Sequence, residues 1–288
     1  MNTFNTSTDA KSLRSKYFGS QYQIVLRNAL VCESICTVDN TDTKYIQNPY
    51  GGQPTATIQA VAGTYSVTAF TLTDDALTVT DEVIYSEHVF AHENFFAALP
   101  LAESRIDNMM YSVAYGIDKF VLNNLCEDAT GSYSTPAGGF TTAANVNQIF
   151  GDLISKVAGF QNTPSYELFI VLENTDLPGL YVAGAGNGFN FADAVLRNGK
   201  MANWMGVDIY VVRSGTFVTD TLGSVSVTND GHRVFGVKKV ATYASPRGLQ
   251  YEEKPVTGKT GAEIVVFGLV GFKLWTQMAS LVVDITIV

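Results

Sequence analysis

Charge is scarce in this chain. Of its 288 residues 16% are charged, against roughly 25% in typical soluble domains, while 46% are hydrophobic and 11% aromatic. That composition excludes disorder as the main state, because disordered chains are charge-rich and poor in aromatics. Long apolar runs are also lacking. The longest, residues 264–272, is about half the roughly 20 residues a membrane-spanning helix needs. The first seven residues, Met1 to Ser7, carry no charged-then-apolar signal pattern. Cysteine is limited to Cys32, Cys36 and Cys126, which form no disulfide framework. The expected compartment is therefore a reducing cytoplasm, with the three thiols serving as small core hydrophobes. Most specific is the absence of Lys and Arg from Tyr45 to Ser104, a stretch that holds seven acids: Asp74, Asp75, Asp81, Glu82, Glu87, Glu93 and Glu103.

The net charge is 18 − 27 = −9, which speaks against a nucleic-acid reader, since that needs a basic footprint. The charge is unevenly spread. Residues 1–31 carry Lys11, Arg14, Lys16 and Arg27 against Asp9, 4 − 1 = +3, leaving −12 for the rest. This fits a basic arm on an acidic body, or an ordinary charged N-terminal helix. Surface that is poor in charge and rich in Thr, Ser and Asn is suited to burial against further copies of the chain, because interface cores are depleted of charge.

Along the chain, residues 12–38 mix apolar and basic positions, and Asn48-Pro49-Tyr50-Gly51-Gly52 is a turn cluster. Residues 55–69 and 76–90 alternate Thr, Ile, Val and Tyr around Thr73-Asp74-Asp75, the pattern of a long two-stranded hairpin. Such a hairpin is marginal alone, so it is expected to lie against something else. Residues 100–126 form the strongest helix. Pro100 suits its first position, and Ala102, Ile106, Met109, Val113, Ile117 and Phe120 recur at steps of four and three. A Pro/Gly linker at 135–139 precedes an α/β pattern: helix 142–158, strand 167–172, short helical pieces at 177–182 and 191–197, and strand 207–212. A polar loop at 214–231, a strand near 233–241, a turn-rich 245–261 and apolar segments 262–275 and 279–288 complete the chain.

Motifs of known chemistry fail on inspection. Gly258-Lys259-Thr260 ends like a phosphate-binding loop, but position 253 is Glu where the first Gly is needed. Gly184-Ala185-Gly186-Asn187-Gly188 lacks the third dinucleotide Gly, since Phe189 stands there, and reads as a mobile loop. His88 and His92, flanked by Glu87 and Glu93, do not match a zincin, because Val89 follows the first His. His232 reads as a turn residue, and Asp74-Asp75 and Glu252-Glu253 as solvated turn charge. No nucleophile elbow is present. No catalytic, cofactor or metal residue is assigned, no cofactor is expected, and the chain does not read as an enzyme.

The order of parts does carry information: basic arm, long hairpin, long helix, α/β insertion, β-rich return. Thr55-Ala56-Thr57-Ile58 through Asp81-Glu82-Val83-Ile84-Tyr85 is similar to the extended loop of the Hong Kong 97-type major capsid proteins of tailed bacteriophages, a fold shared with encapsulin shells. Residues 101–125, with Tyr115-Gly116-Ile117-Asp118-Lys119, resemble that family's spine helix. Glu167-Leu168-Phe169-Ile170-Val171, Ala192-Asp193-Ala194-Val195-Leu196-Arg197-Asn198-Gly199 and Gly206-Val207-Asp208-Ile209-Tyr210 resemble its axial domain, while Phe235-Gly236-Val237-Lys238-Lys239-Val240-Ala241 and Gly271-Phe272-Lys273-Leu274 resemble its closing strands.

The resemblance implies an α+β capsid fold with an N-terminal arm at 1–45, an extended loop at 46–98, a peripheral domain at 99–139 with return strands at 246–288, and an axial domain at 140–245. It implies pentamers and hexamers closing an icosahedral shell around double-stranded DNA in a virion, assembled in the host cytoplasm without a membrane. Scaffolding, portal and cement proteins are possible partners, and DNA is contacted non-specifically. Expected inter-subunit contacts are Thr57, Tyr65, Phe70, Asp74, Asp75 and Val83. Lys11, Arg14 and Lys16 are expected to face the lumen or a neighbour. With no Lys in 45–104 the shell is expected to be non-covalent, and with about 45 residues before the loop scaffolding is expected to be absent or a separate protein. Deleting residues 57–83 is expected to leave a folded protein that cannot close shells. The alternatives are an encapsulin-like compartment holding protein cargo and a β-rich tail or surface protein; the latter predicts no long helix.

Overall fold

The computed structural model describes residues 30–51, 72–89, 101–158, 167–186, 200–246, 250–255 and 260–288, with 58, 61 and 63 as isolated positions. The apolar stripe does form one long helix, α2 after a short α1 (Val31–Ile35), running over Leu101–Glu127. At 1.5 Å per residue it is roughly 40 Å long. Met109, Val113, Ile117, Val121 and Leu125 are buried along it. No helix among the described residues is long and apolar enough to cross a membrane.

Two sheets pack on α2 and share one core cluster. The first is built on the long strand β16 (Ala262–Leu274). Strand β6 (Asp81–Val89) pairs with it antiparallel from Ala262↔Val89 to Val270↔Asp81. Strands β15 (Gln250–Pro255) and β14 (Ala241–Ala244) also pair with it, and β1 (Thr37–Asp39) adds parallel to β14. The second sheet has the order β7 (Gly131–Ser134), β17 (Val282–Thr286), β13 (His232–Val237), β8 (Leu168–Glu173), β10 (Val207–Val212), β9 (Lys200–Trp204). Helices α3 (Ala143–Ala158) and α4 (Leu177–Gly186) pack together beside it.

Several expectations are corrected. The hairpin's return strand has a partner in its own chain, β16, because the even-numbered residues Ile264, Val266 and Val270 bury one face against α2. The approach is close: a Cβ on Gly116 of α2 would lie 2.7 Å from Val83 Cγ1. Leu77 and Val79 form a second small core with Ala244 and Trp275. Deleting 57–83 would remove both of these contacts, so that deletion is expected to unfold the monomer. Its other strand, 55–69, lies outside the described residues apart from exposed Ile58 and isolated 61 and 63, as does helix 191–197.

The glycines at 184 and 186 belong to α4 and not to a loop. The expected strand 233–241 is two strands, broken where Lys239 turns to φ 63° and sends the chain into the other sheet. That left-handed conformation costs a non-glycine residue about 1 kcal/mol. Sheet membership also cuts across the ranges read from sequence: β7 and β17, from 99–139 and 246–288, join the sheet formed within 140–245.

The polar loop 214–231 contains a hairpin, β11 (Thr219–Leu222) and β12 (Val225–Thr228), whose turn holds Gly223 at φ 60°. Ser224 N–H and Oγ donate to Asp81 Oδ1 and Oδ2 at 2.7 and 2.9 Å, so a Cβ on Gly223 would run into that carboxylate. Gly223→Ala is expected to cost about 1–2 kcal/mol, from backbone strain and the displaced carboxylate. A denaturant midpoint unchanged from wild type would contradict this.

Candidate assembly surface

Three carboxylates that the sequence reading left in solvent or without a role tie distant segments together. Asp75 is buried and accepts hydrogen bonds from Thr276 N–H and Oγ1, both at 2.9 Å, with Lys273 Nζ 3.4 Å away. Its reading as solvated turn charge is therefore corrected, whereas Asp74 is exposed as expected. Asp81 holds the 219–228 hairpin, and Asp118 accepts from Val31 N–H at 3.0 Å and Cys32 N–H at 2.9 Å. Nothing in a single sequence announces partners separated by 86 to 201 positions.

Above Asp75 the chain pairs briefly with itself. Strand β2 (Tyr45–Gln47) pairs with β5 (Ala76–Thr78), and β3 (Tyr50–Gly51) with β4 (Leu72–Thr73). Gly51 and Leu72 are direct partners, so the two residues that flank 52–71 lie side by side. Those residues contain no charged side chain. Tyr45 and Leu72, at this base, are 54% and 63% exposed.

The first sheet's other face is covered at Gly271 and Ala244 by Leu77 and Val79, and farther along β16 it is exposed in part among the described residues. Ile84 is paired with Phe267, Glu82 with Leu269, and Ser86 with Val265. Ile84 and Leu269 are 57% and 41% exposed and Phe267 between them is half-buried, whereas Val265 is buried. Glu82, Glu252 and Lys254 border this apolar strip and are exposed, with Lys254 Nζ 2.8 Å from Glu252. An adjoining groove of about 390 Å³ is lined by Lys44, Val79, Pro246 and Leu269. An apolar strip ringed by charge has the anatomy of an interface.

Of the expected contact residues, Asp75 and Val83 spend their side chains inside their own chain, Val83 half-buried toward α2. Thr57, Tyr65 and Phe70, and the basic Lys11, Arg14 and Lys16, lie outside the described residues. His232 is not a free turn residue: it begins β13, and its Nδ1 is 2.9 Å from the Asp284 carboxylate. The three cysteines are buried and unpaired, as expected of core hydrophobes. Among the described residues no cluster of His, Cys, Asp and Glu forms a metal site.

Burial pushes the Asp75 carboxyl up, but the Thr276 donors and the Lys273 ammonium more than offset it and hold it below its ordinary value. Its contribution is therefore complete above an unfolded value of about 3.9 and is lost as pH falls through the lower folded value. Asp118 shifts the other way, raised by burial, so its protonation does not oppose folding. Asp75→Asn is expected to lower the melting temperature at pH 7, with the gap from wild type closing between pH 5 and 2. A gap independent of pH would contradict this role.

No family model matches the sequence, and no curated protein matches it. Solved structures do. The capsid of the cyanophage P-SCSP1u superimposes with a TM-score of 0.64 at 12% identity, over 91% of this chain and 89% of that one. The mature capsid of bacteriophage PhiM1 gives 0.63 at 11% identity over 88% and 85%. The fold is that of bacteriophage capsid chains. A chain from Mycobacterium phage Ogopogo superimposes with a TM-score of 0.67 at 11% identity, over 91% of this chain and 92% of that one. The α+β class expected from the sequence is thus observed.

Proposed function

We propose that this chain is the major capsid protein of a tailed phage, assembling as pentamers and hexamers into an icosahedral shell around double-stranded DNA. The observation that carries the reading is the capsid fold, shared over about nine tenths of both chains. The exposed part of the sheet face supports it, since an apolar strip of Ile84, Leu269 and half-buried Phe267 calls for a cover in the working state. An uncharged excursion at 52–71, anchored at its base by Asp75, is suited to reach over a neighbouring subunit and supply that cover. Closed symmetry then repeats one contact around each ring. The acidic body limits adhesion to phosphate, leaving the duplex held by confinement and by the basic N-terminal segment with Lys11, Arg14 and Lys16.

The contents of purified particles test this function. Shells from infected cells are expected to protect double-stranded DNA from nuclease. Particles holding a folded enzyme and no DNA would overturn the genome shell in favour of a cargo compartment.

A further inference from the structure

The chain crosses from the second sheet to the first directly at residues 238–240, between β13 and β14. The turn is sharp, with Lys239 in the left-handed region. One side of this joint is fixed to the second sheet: Lys238 Nζ lies 2.6 Å from Asp208 Oδ2, over the Tyr210 ring, and Lys238 N–H donates to Glu167 O at 2.9 Å. The other side is held in the first sheet by β16 along β14, and at the joint itself by residues 31–39. Lys239 N–H donates to Ile35 O at 2.7 Å, and Thr37 Oγ1 donates to Lys239 O at 3.4 Å.

The same nine residues touch two more bodies. At one end Asp118 of α2 receives the Val31 and Cys32 N–H groups. At the other, β1 pairs with β14 from Thr37↔Thr242 to Asp39↔Ala244, and Ser245 N–H donates to Asp39 O at 3.1 Å. A segment held at the long helix, at the joint and in the first sheet constrains how one sheet can turn relative to the other. The outlier at Lys239 sits where such a turn would be absorbed.

We propose that residues 31–39 are a latch across the joint between the two sheets, with Asp118 as its positioning residue, and that the latch fixes the sheet-to-sheet angle a subunit brings to assembly. This rests on the shell reading for its consequence and on the contacts above for its mechanism. A latch of this kind makes the angle, and hence the curvature of the assembly, sensitive to what holds the chain before residue 30.

Hydrogen exchange of unassembled full-length subunits tests the mechanism. In Asp118→Asn, exchange is expected to quicken at least tenfold at residues 31–36 and also at 238–241, which Asp118 does not touch, with 168–173 and 207–212 unchanged. Thr37→Val is expected to act at 238–241 in the same direction and more weakly. Faster exchange at 31–36 with 238–241 unmoved would overturn the latch, and so would faster exchange throughout the core, including 168–173. If wild type closes shells of one diameter, Asp118→Asn is expected to give several diameters; a single wild-type diameter would overturn the link to curvature. Wild-type protein that forms no shells even with lysate from phage-infected cells would refute the shell reading and leave the exchange result to decide the latch.

Discussion

Replacing residues 52–71 by Asn-Gly is expected to abolish closed shells while the subunit keeps its fold and melts within a few degrees of wild type. Gly51 and Leu72 face each other as strand partners, so two residues of the type that favours tight hairpins can join them. The anchors below the cut remain: Asp75 on Thr276, Leu77 and Val79 against Trp275, and β6 on β16. What is removed is an uncharged 20-residue excursion proposed to cover a neighbour's strip of Ile84, Phe267 and Leu269. Circular dichroism reports the fold and sedimentation the assembly. Closed shells from this variant would show that the excursion is dispensable; an unfolded variant would show that it supports its own subunit.

The largest loss of stability is expected from Arg233→Met. Arg233, Glu173 and Asp176 are buried together between β13, β8 and the turn that leads into α4. The guanidinium Nε lies 2.5 Å from Asp176 Oδ2, and its NH2 lies 3.2 Å from Glu173 Oε2. Glu173 Oε1 also accepts the N–H groups of Gly215 and Thr216 at 3.0 and 3.1 Å, so the cluster ties the 214–217 turn to the second sheet. Removing this cation leaves two carboxylates in the core, at a cost of about 3–5 kcal/mol out of a typical 5–15. At about 2–4 °C per kcal/mol the melting temperature falls by roughly 10 °C. Arg233→Met with Asp176→Leu is expected to recover part of this, because the pair is then replaced and not broken. A double variant no better than the single one would assign the loss to packing.

The long helix was legible because its apolar steps of four and three persist for many turns, and strand 207–212 because it is a β-branched and aromatic run, broken only by Asp208, between turn signals. The exposed strip was not legible. Phe267 and Leu269 look in sequence like the core residues Ile264, Val266 and Val270 beside them, and only the packing around β16 decides which are buried. The carboxylates misled for a related reason. Asp75 beside Asp74 has the local signature of a turn, and its Thr276 partner lies 201 positions away. The break at Lys239 was hidden because a lysine carries no signal for a left-handed turn; glycine or asparagine would have. The hairpin 219–228 hid in a polar loop because its Thr and Ser alternate with few apolar residues to bury.

The central claim is that this fold closes on itself. Sedimentation of the expressed full-length chain, followed by negative-stain microscopy, tests it most directly. The smallest closed icosahedral shell has about 60 copies of the 31.1 kDa chain, or roughly 1.9 MDa. Hollow round particles at or above that mass are the expected result. Stable monomers or dimers that remain so when lysate from phage-infected cells is added would contradict it.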